Sequence, residues 1–281
     1  MKILVTGSGG QVGRELVAAF ADQDLTALDR QRLDVADREA VLAAITSLRP
    51  DAVVHAAAWT DVDGCEGDEA RALRVNGLGT RHVAEAARRV DAHMCALSTD
   101  YVFDGTKSDP YVEWDTPNPC SAYGRSKLAG ELELRGDAGA TVVRTSWVCG
   151  GHGHNMVKTI LRLAESHDTL RFVDDQRGHP TFARDLAGAV QRLVVERRPG
   201  CFHVTNQGAV TWFEFARAVL EASGHDPARV EPIKTADLDP PRPAPRPANS
   251  VLDNAALRLS GLPLLRDFHE PLQELVQELR R

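Results

Sequence analysis

Ile3-Leu4-Val5-Thr6-Gly7-Ser8-Gly9-Gly10-Gln11-Val12-Gly13 decides how this chain begins. A short apolar run stops at a glycine loop, and an amphipathic stretch from Glu15 to Phe20 continues from the loop without a break. The pattern reads as strand, tight turn, helix. Glycines permit the turn, and backbone N–H groups at the start of the helix are free to face a pyrophosphate. The spacing through Gly7, Gly10 and Gly13 is G-x-x-G-x-x-G, one residue longer in its first gap than the G-x-G-x-x-G dinucleotide fingerprint. A glycine loop alone is a weak signal, and its place in a first βα turn is what strengthens it. Gly7, Gly10, Gln11, Val12 and Gly13 are therefore the candidate phosphate-binding residues.

Strand candidates follow at Leu25 to Leu28, Ala52 to His55, Met94 to Ser98 and Thr141 to Val143, with helical patterns from Arg38 to Leu48 and from Leu78 to Val90 between them. These strands are apolar throughout rather than alternating, as in a parallel sheet covered on both faces. The expected fold class is α/β, a doubly wound parallel sheet of the Rossmann type with a smaller C-terminal substrate-binding lobe. After Arg144 the rhythm loosens, with helical patterns at Met156 to Ala164, Leu186 to Val195 and Trp212 to Ala222, and short strands at Leu170 to Val173 and Phe202 to Val204. Residues 1–148 and roughly 170–204 are assigned to the dinucleotide-binding domain, and roughly 149–169 and 205–281 to the lobe. Between Asp239 and Pro247 five prolines remove donors and restrict their predecessors, which excludes helix and central strand. That segment is an extended loop, read either as a tether to a last helix (Glu270 to Leu279) or as a strap over a ligand.

Composition narrows the function classes. The 281 residues carry 33 Lys+Arg against 40 Asp+Glu, a net charge of −7, so a polyanionic partner such as nucleic acid is not expected and any anionic ligand needs a local site. Cys65, Cys95, Cys120, Cys149 and Cys201 are scattered and form no C-x-x-C pair, so neither a disulfide framework nor a zinc site is expected. The short apolar run after Lys2 is no signal peptide, and no stretch approaches the ~18 apolar residues of a membrane span. A cytoplasmic protein without membrane contact is the expectation.

Asp29 ends the second strand, where a ribose hydroxyl would be held, and Arg30 follows it. An acid there accepts from the 2′-OH of NADH and repels a 2′-phosphate, whereas a neighbouring arginine pairs with that phosphate. NADPH and NADH both remain candidate cofactors. Asp34 and Val35 can meet the adenine edge, or can equally serve as a cap and a buried side chain. Tyr123-Gly124-Arg125-Ser126-Lys127 opens another amphipathic stretch, and residues four apart share a helix face, so the Lys127 ammonium stands near the Tyr123 phenol. A nearby cation favours the phenolate and tunes Tyr123 toward proton transfer. Ser98-Thr99-Asp100 ends the fourth strand. In a parallel sheet ligands lie outside the carboxyl ends of the strands, so Thr99 and Asp100 face the same crevice as the glycine loop.

Six blocks together resemble one family. They are Thr6 to Gly13; His55-Ala56-Ala57-Ala58-Trp59-Thr60-Asp61-Val62-Asp63; Ser98-Thr99-Asp100-Tyr101-Val102-Phe103-Asp104-Gly105; Tyr123-Gly124-Arg125-Ser126-Lys127-Leu128-Ala129-Gly130-Glu131; Arg144-Thr145-Ser146-Trp147-Val148; and Arg246-Pro247-Ala248-Asn249-Ser250. The chain resembles, over nearly its whole length, the dTDP-4-dehydrorhamnose reductases among the extended short-chain dehydrogenase/reductases. The resemblance implies reduction of the C4 ketone of dTDP-4-dehydro-L-rhamnose by NADPH or NADH. It implies that Tyr123 donates the proton, that Lys127 lowers its pKa and holds the nicotinamide ribose, and that Thr99 orients the carbonyl. Asp100 and Trp147 are implied substrate contacts, and Ala56, Ala57 and Ala58 are implied to line the cofactor groove. Arg246, with Arg242, is a candidate for the substrate diphosphate. His55 and Trp59 depart from the usual Asn and Tyr, and Cys149 from an aromatic. Some relatives form homodimers through Mg²⁺ held by glutamates; Glu15 matches one such position, but Asp185 stands at another. That departure argues against metal dependence and leaves a homodimer open. Two further readings stay open: a reductase of another dTDP-4-keto-6-deoxy sugar, and a catalytically silent subunit on the same fold.

Overall fold

The computed structural model describes residues 1–280. Its centre is a six-stranded parallel sheet. Five strands come in the first half of the chain: β1 (Lys2–Thr6), β2 (Asp24–Leu28), β3 (Ala52–His55), β4 (His93–Thr99) and β5 (Thr141–Thr145). The sixth is Gly200–His203, and the spatial order is Gly200–His203, β5, β4, β3, β1, β2. Helices α1 (Gln11–Ala19) and α2 (Arg38–Leu48) follow the first two strands. After β3 come two short helices, α3 (Val62–Gly67) and α4 (Glu69–Ala72); a π-helical turn, Leu73–Leu78, then leads into α5 (Gly79–Arg89). Helix α6 (Ala122–Leu132) lies between β4 and β5.

The apolar strands behave as their composition requires, with each face buried by a different set of helices. Ile3, Val5 and Val54 pack with Leu16 of α1 and with Leu186 and Val190 of the helix Ala183–Val195. Leu4 and Val53 face the other way, against Val41 and Ile45 of α2 and Val83 of α5. The helix expected from Leu78 begins at Gly79, because the chain ahead of it takes the π-helical turn. Asn76 in that turn is fully buried; it donates to Ser126 of α6 at 2.9 Å and exchanges two hydrogen bonds with the Trp59 backbone. Such turns often mark functional sites.

A second core gathers Val157, Ile160, Phe215, Val219, Phe268 and Leu272 under the C-terminal elements. The division between the two parts differs from the sequence expectation in one stretch. Leu170–Val173 pairs in parallel with Val230–Ile233 in a small separate sheet and does not join the central one. A short strand shows which residues are extended and not which edge they choose, since pairing is decided by packing elsewhere. The helix Ala183–Val195 and the strand Gly200–His203 do belong with the central sheet. The proline segment forms no regular element until Asn249 bridges to Arg177.

Candidate active site

The glycine loop adopts its shape because two of its residues cannot carry a side chain. Gly7 has a positive φ of +72°, and a Cβ there would lie 2.5 Å from the Ala57 amide nitrogen. A Cβ on Gly13 would lie 2.1 Å from the Gly7 carbonyl oxygen. The loop, the first turn of α1 and the end of β3 are thereby brought together. Gly10 caps α1 in an extended conformation, no side chain bonds to the first turn, and no acid stands in it. These free N–H groups and the positive end of the helix form an anion cradle that fits a dinucleotide pyrophosphate. Gln11, the first helical residue, donates to the Val148 carbonyl at 2.9 Å and accepts from Asn155 at 2.8 Å, which ties the loop to the second lobe.

Two hollows meet at this cradle. One, of about 370 Å³, is lined by Gly7, Asp29, Arg30, Asp34, Val35 and Ala57 among others. The second, of about 560 Å³, is lined by Gln11, Val12, Gly13, Thr99, Asp100, Tyr123, Lys127 and Trp147. Gly10, Ala56 and Ala58 border both. Apart from Arg246 and Arg242, and the acids Glu15 and Asp185, the candidate site residues of the sequence therefore converge on adjoining hollows at the carboxyl ends of the strands.

Asp29 accepts from the amides of Gln31 and Arg32 at 3.0 Å each, so part of its carboxylate shapes the loop after β2. Arg71 borders the same hollow and was not anticipated; its guanidinium lies over the Trp59 ring, 4.2 Å from the centroid. Nothing in its local sequence signals this, because α4 reaches the cleft only through the fold.

At the other end, Lys127 and Tyr123 are buried, with 6% and 8% exposure. The Lys127 ammonium donates to the Leu97 carbonyl at 2.8 Å, and burial pulls it down to about 8 while Glu131 pulls the other way. Burial pushes the Tyr123 phenol above its ordinary value, offset in part by the Thr99 hydroxyl. Desolvation thus outweighs the expected lowering by Lys127, whose ammonium bonds to the backbone. Thr99 donates to Asp100 at 3.0 Å. Asp100 is 1% exposed, its other oxygen has no partner, and burial raises its carboxyl to about 6. Tyr101 packs edge-on to Tyr123, with ring centroids 5.6 Å apart. Trp147, held at a positive φ of 44°, stacks on Trp212 with centroids 3.5 Å apart and planes within 7°. Trp212 and His154 also line the cleft and were missed, since they belong to the second lobe and carry no motif.

Arg246 does not line the cleft. Both of its terminal nitrogens pair with Asp63 of α3 at 2.7 Å, and the side chain is 13% exposed. It touches the cleft indirectly, through Tyr101. Arg242 reaches the same carboxylate at 3.5 Å and is largely exposed. The acids considered for Mg²⁺ do gather around one hollow, but arginines accompany them. Arg266 pairs with Asp185 at 2.9 Å and with Glu274 at 2.5 Å, while Arg184 stands 3.9 Å from both Glu15 and Glu278. Carboxylates already matched by guanidinium groups fit a divalent cation poorly.

A parallel sheet with a glycine cradle, a Tyr-x-x-x-Lys helix and a threonine at the end of β4 defines the class: an extended short-chain dehydrogenase/reductase. Within that class the chain belongs to the family described as the RmlD substrate binding domain, whose profile matches residues 1–281. It is 43% identical over 281 residues to the dTDP-4-dehydrorhamnose reductase of Streptomyces griseus, covering 96% of this chain and 91% of that one. It is 40% identical over 276 residues to the dTDP-4-keto-6-deoxy-D-glucose reductase of Streptomyces niveus, covering 96% and 95%. The dTDP-4-dehydrorhamnose reductase of Bacillus anthracis, solved in complex with NADP, superposes with a TM-score of 0.94 at 34% identity over 99% of this chain and 100% of that one.

Proposed function

We propose that this protein reduces the C4 ketone of dTDP-4-dehydro-L-rhamnose to give dTDP-L-rhamnose, with NADPH or NADH as cofactor. The observation that carries the reading is the convergence of Thr99, Tyr123 and Lys127 on the cleft that begins at the glycine cradle. When bound in that cleft, the nicotinamide supplies the hydride. Tyr123 gives its phenolic proton to the C4 oxygen, which stays bonded to carbon and gains negative charge as hydride adds to C4. Its raised pKa keeps the phenol protonated until that oxygen becomes basic, as a proton donor requires. Thr99 turns its single hydroxyl proton from Asp100, where it rests, to the same oxygen and orients it. Lys127 holds a ribose hydroxyl with its ammonium.

Gly7, Gly10, Gln11, Val12 and Gly13 hold the pyrophosphate, Ala56 to Ala58 let the backbone approach the ribose, and Asp34 and Val35 meet the adenine. Asp29 favours NADH, whereas Arg30 and Arg71 are positioned to pair with a 2′-phosphate. Trp147, steadied by Trp212, forms the apolar wall against the deoxysugar. Arg246 reaches the diphosphate only by sharing its charge with Asp63. Incubation with dTDP-4-dehydro-L-rhamnose and each cofactor, followed by product identification, tests the assignment; absence of dTDP-L-rhamnose with both cofactors overturns it. The likeness to the Streptomyces niveus enzyme supports a second reading, in which another dTDP-4-keto-6-deoxy sugar is the substrate, and the same assay with that sugar separates the two. The intact Thr99, Tyr123 and Lys127 count against a silent subunit, which has no chemical use for all three.

A further inference from the structure

Three of the sequence blocks contain a residue that the reaction leaves unused: Ser98 just ahead of Thr99, Glu131 one helical turn beyond Lys127, and Arg144 at the end of β5. The fold brings these three together directly behind the catalytic lysine. Glu131 Oε1 accepts from Ser98 Oγ at 2.5 Å and from Arg144 Nε at 2.9 Å, and Oε2 accepts from Arg144 Nη2 at 2.7 Å. The pair is buried, with side-chain exposures of 6% for Arg144 and 9% for Glu131. Arg144 is held in turn over the Phe103 ring at 5.2 Å and beside His203 at 3.4 Å. One carboxylate thus joins α6, which carries Lys127, to β4, which ends at Thr99, and to β5.

We propose that Glu131 is a positioning residue for Lys127: it locks the lysine-bearing face of α6 onto the sheet and supplies the negative charge that keeps the buried ammonium protonated. The proposal rests on the reading of Lys127 given above. Residues four apart share a helix face, so the carboxylate lies on the same side of α6 as the ammonium. An ammonium taken out of water loses hydration, and only a nearby anion or acceptor restores part of it. Lys127 has one backbone acceptor, Leu97, and Glu131 is the anion that raises its pKa against the lowering by burial.

The other groups facing the ammonium do not replace that charge. Tyr123 on its own helix is a neutral phenol, raised by burial. His55, at the end of β3, is driven down to about 3 by burial and by Lys127 itself, so it is neutral. Asp100, beyond β4, is raised to about 6 and carries charge at neutral pH, but that charge engages Thr99 and is not among the influences on Lys127. Arg144 from β5 adds an opposing cation behind Glu131, and the buried groups around Arg144 are Glu113, Cys201 and His203. Two functions follow from one carboxylate: geometry through Ser98 and Arg144, and charge toward Lys127.

Glu131→Gln separates them, because the amide retains the shape and an acceptor while the charge is lost. The first readout is the rate of reductive methylation of Lys127 as a function of pH, followed by peptide mass spectrometry on the protein without substrate. Its midpoint is expected to fall by about one pH unit or more, since an opposite charge within reach typically shifts a pKa by ~1–3 units. The alkaline limb of kcat/KM is expected to move down with it. Where Glu131→Gln does not fold, the double variant Glu131→Gln/Arg144→Met removes the whole pair, a replacement that buried ion pairs often tolerate; a smaller downward shift is expected there, because the opposing cation leaves with the carboxylate. A folded variant with an unchanged labelling midpoint overturns the proposal and leaves Glu131 a structural clamp. A shifted midpoint with an unmoved kcat/KM profile supports the electrostatic role of Glu131 and sinks instead the assignment of Lys127 to the reaction.

Discussion

The two ends of the cleft are built by opposite means. The cofactor end is made by backbone and small residues: Gly7 and Gly13, in one local loop, leave no room for a Cβ, and Ala56 to Ala58 follow β3, the neighbour of β1 in the sheet. The sugar end is made by large side chains gathered from distant segments. Tyr123 lies on α6, Trp147 follows β5 and Trp212 begins a helix of the second lobe, while Arg246, tied to Asp63 across 183 positions of sequence, stands outside the cleft wall. A pyrophosphate is the same in every dinucleotide, so a local backbone device suffices to hold it. A sugar is recognised by its particular substituents, and that requires side chains which only the folded chain assembles.

The largest effect expected at the sugar end is that of Tyr123→Phe, which deletes a proton donor and keeps the ring. Turnover should fall by roughly 10²–10⁴-fold while the dissociation constant for NADPH stays put. Retention of more than about a tenth of kcat would remove Tyr123 from the chemistry, because tenfold is only ~1.4 kcal/mol. Gly13→Ala probes the opposite end, where the added methyl meets the Gly7 carbonyl. Cofactor binding by calorimetry should be lost, together with about 1–3 kcal/mol of stability from overpacking. A variant that binds NADPH normally would show that the cradle is not the pyrophosphate site.

Arg246→Ala sharpens the contrast within the sugar end. A contact to the diphosphate is worth about 1.5–3 kcal/mol, so the sugar KM should rise by roughly 10–150-fold with little change for NADPH. Asp63→Asn is the discriminating partner, since it releases Arg246. A guanidinium that contacts substrate should then leave the sugar KM unchanged or lower, whereas a mere buckle of the proline strap would raise it as Arg246→Ala does.

Cofactor choice is a smaller matter, decided by exposed charges at the adenosine end. Arg30→Ala and Arg71→Ala should each weaken NADPH several-fold and leave NADH nearly unchanged, and Asp29→Ala should weaken NADH selectively. Equal losses for both cofactors would mean that the guanidinium groups point away from the 2′ position. The smallest expected change is thermal. Asp100 has its pKa raised to about 6 from an ordinary 3.8, so the native protein binds the extra proton between those values, and this group's contribution to stability falls as pH rises through that window. Asp100→Asn should therefore melt above the parent at pH 7 to 8, and the difference should vanish as pH falls toward 4. A gap that does not vary with pH would show that the raised carboxyl is not its source.

Much of this arrangement was legible in sequence because it depends on short-range rules. The first five strands were found nearly to the residue, since strands of a covered parallel sheet are mostly apolar runs, and even the half-exposed edge strand β2 keeps Leu25, Ala27 and Leu28. That Thr99, Tyr123 and Lys127 meet in one cleft was legible because a strand end and a helix start impose fixed spacings, and the parallel sheet then places those ends on one side. The failures share a cause as well. Leu170–Val173 was recognised as extended and assigned to the dinucleotide-binding domain, whereas it pairs with Val230–Ile233 outside the central sheet; Arg71, Trp212 and His154 were not singled out, because each meets the cleft through contacts between segments far apart in the chain.

The sequence by itself thus determined the glycine loop, the parallel sheet and which side chains stand at the strand ends and helix start that meet in the cleft, all properties of neighbouring residues and of backbone sterics. The tertiary structure alone decided the electrostatic state of those groups. Spacing predicts a Tyr123 phenol lowered by Lys127, but burial lifts the phenol, sends the ammonium to the Leu97 carbonyl and pairs Arg246 with Asp63. Desolvation and charge pairing depend on what surrounds a group in three dimensions, and that information does not reside in any local stretch of the chain.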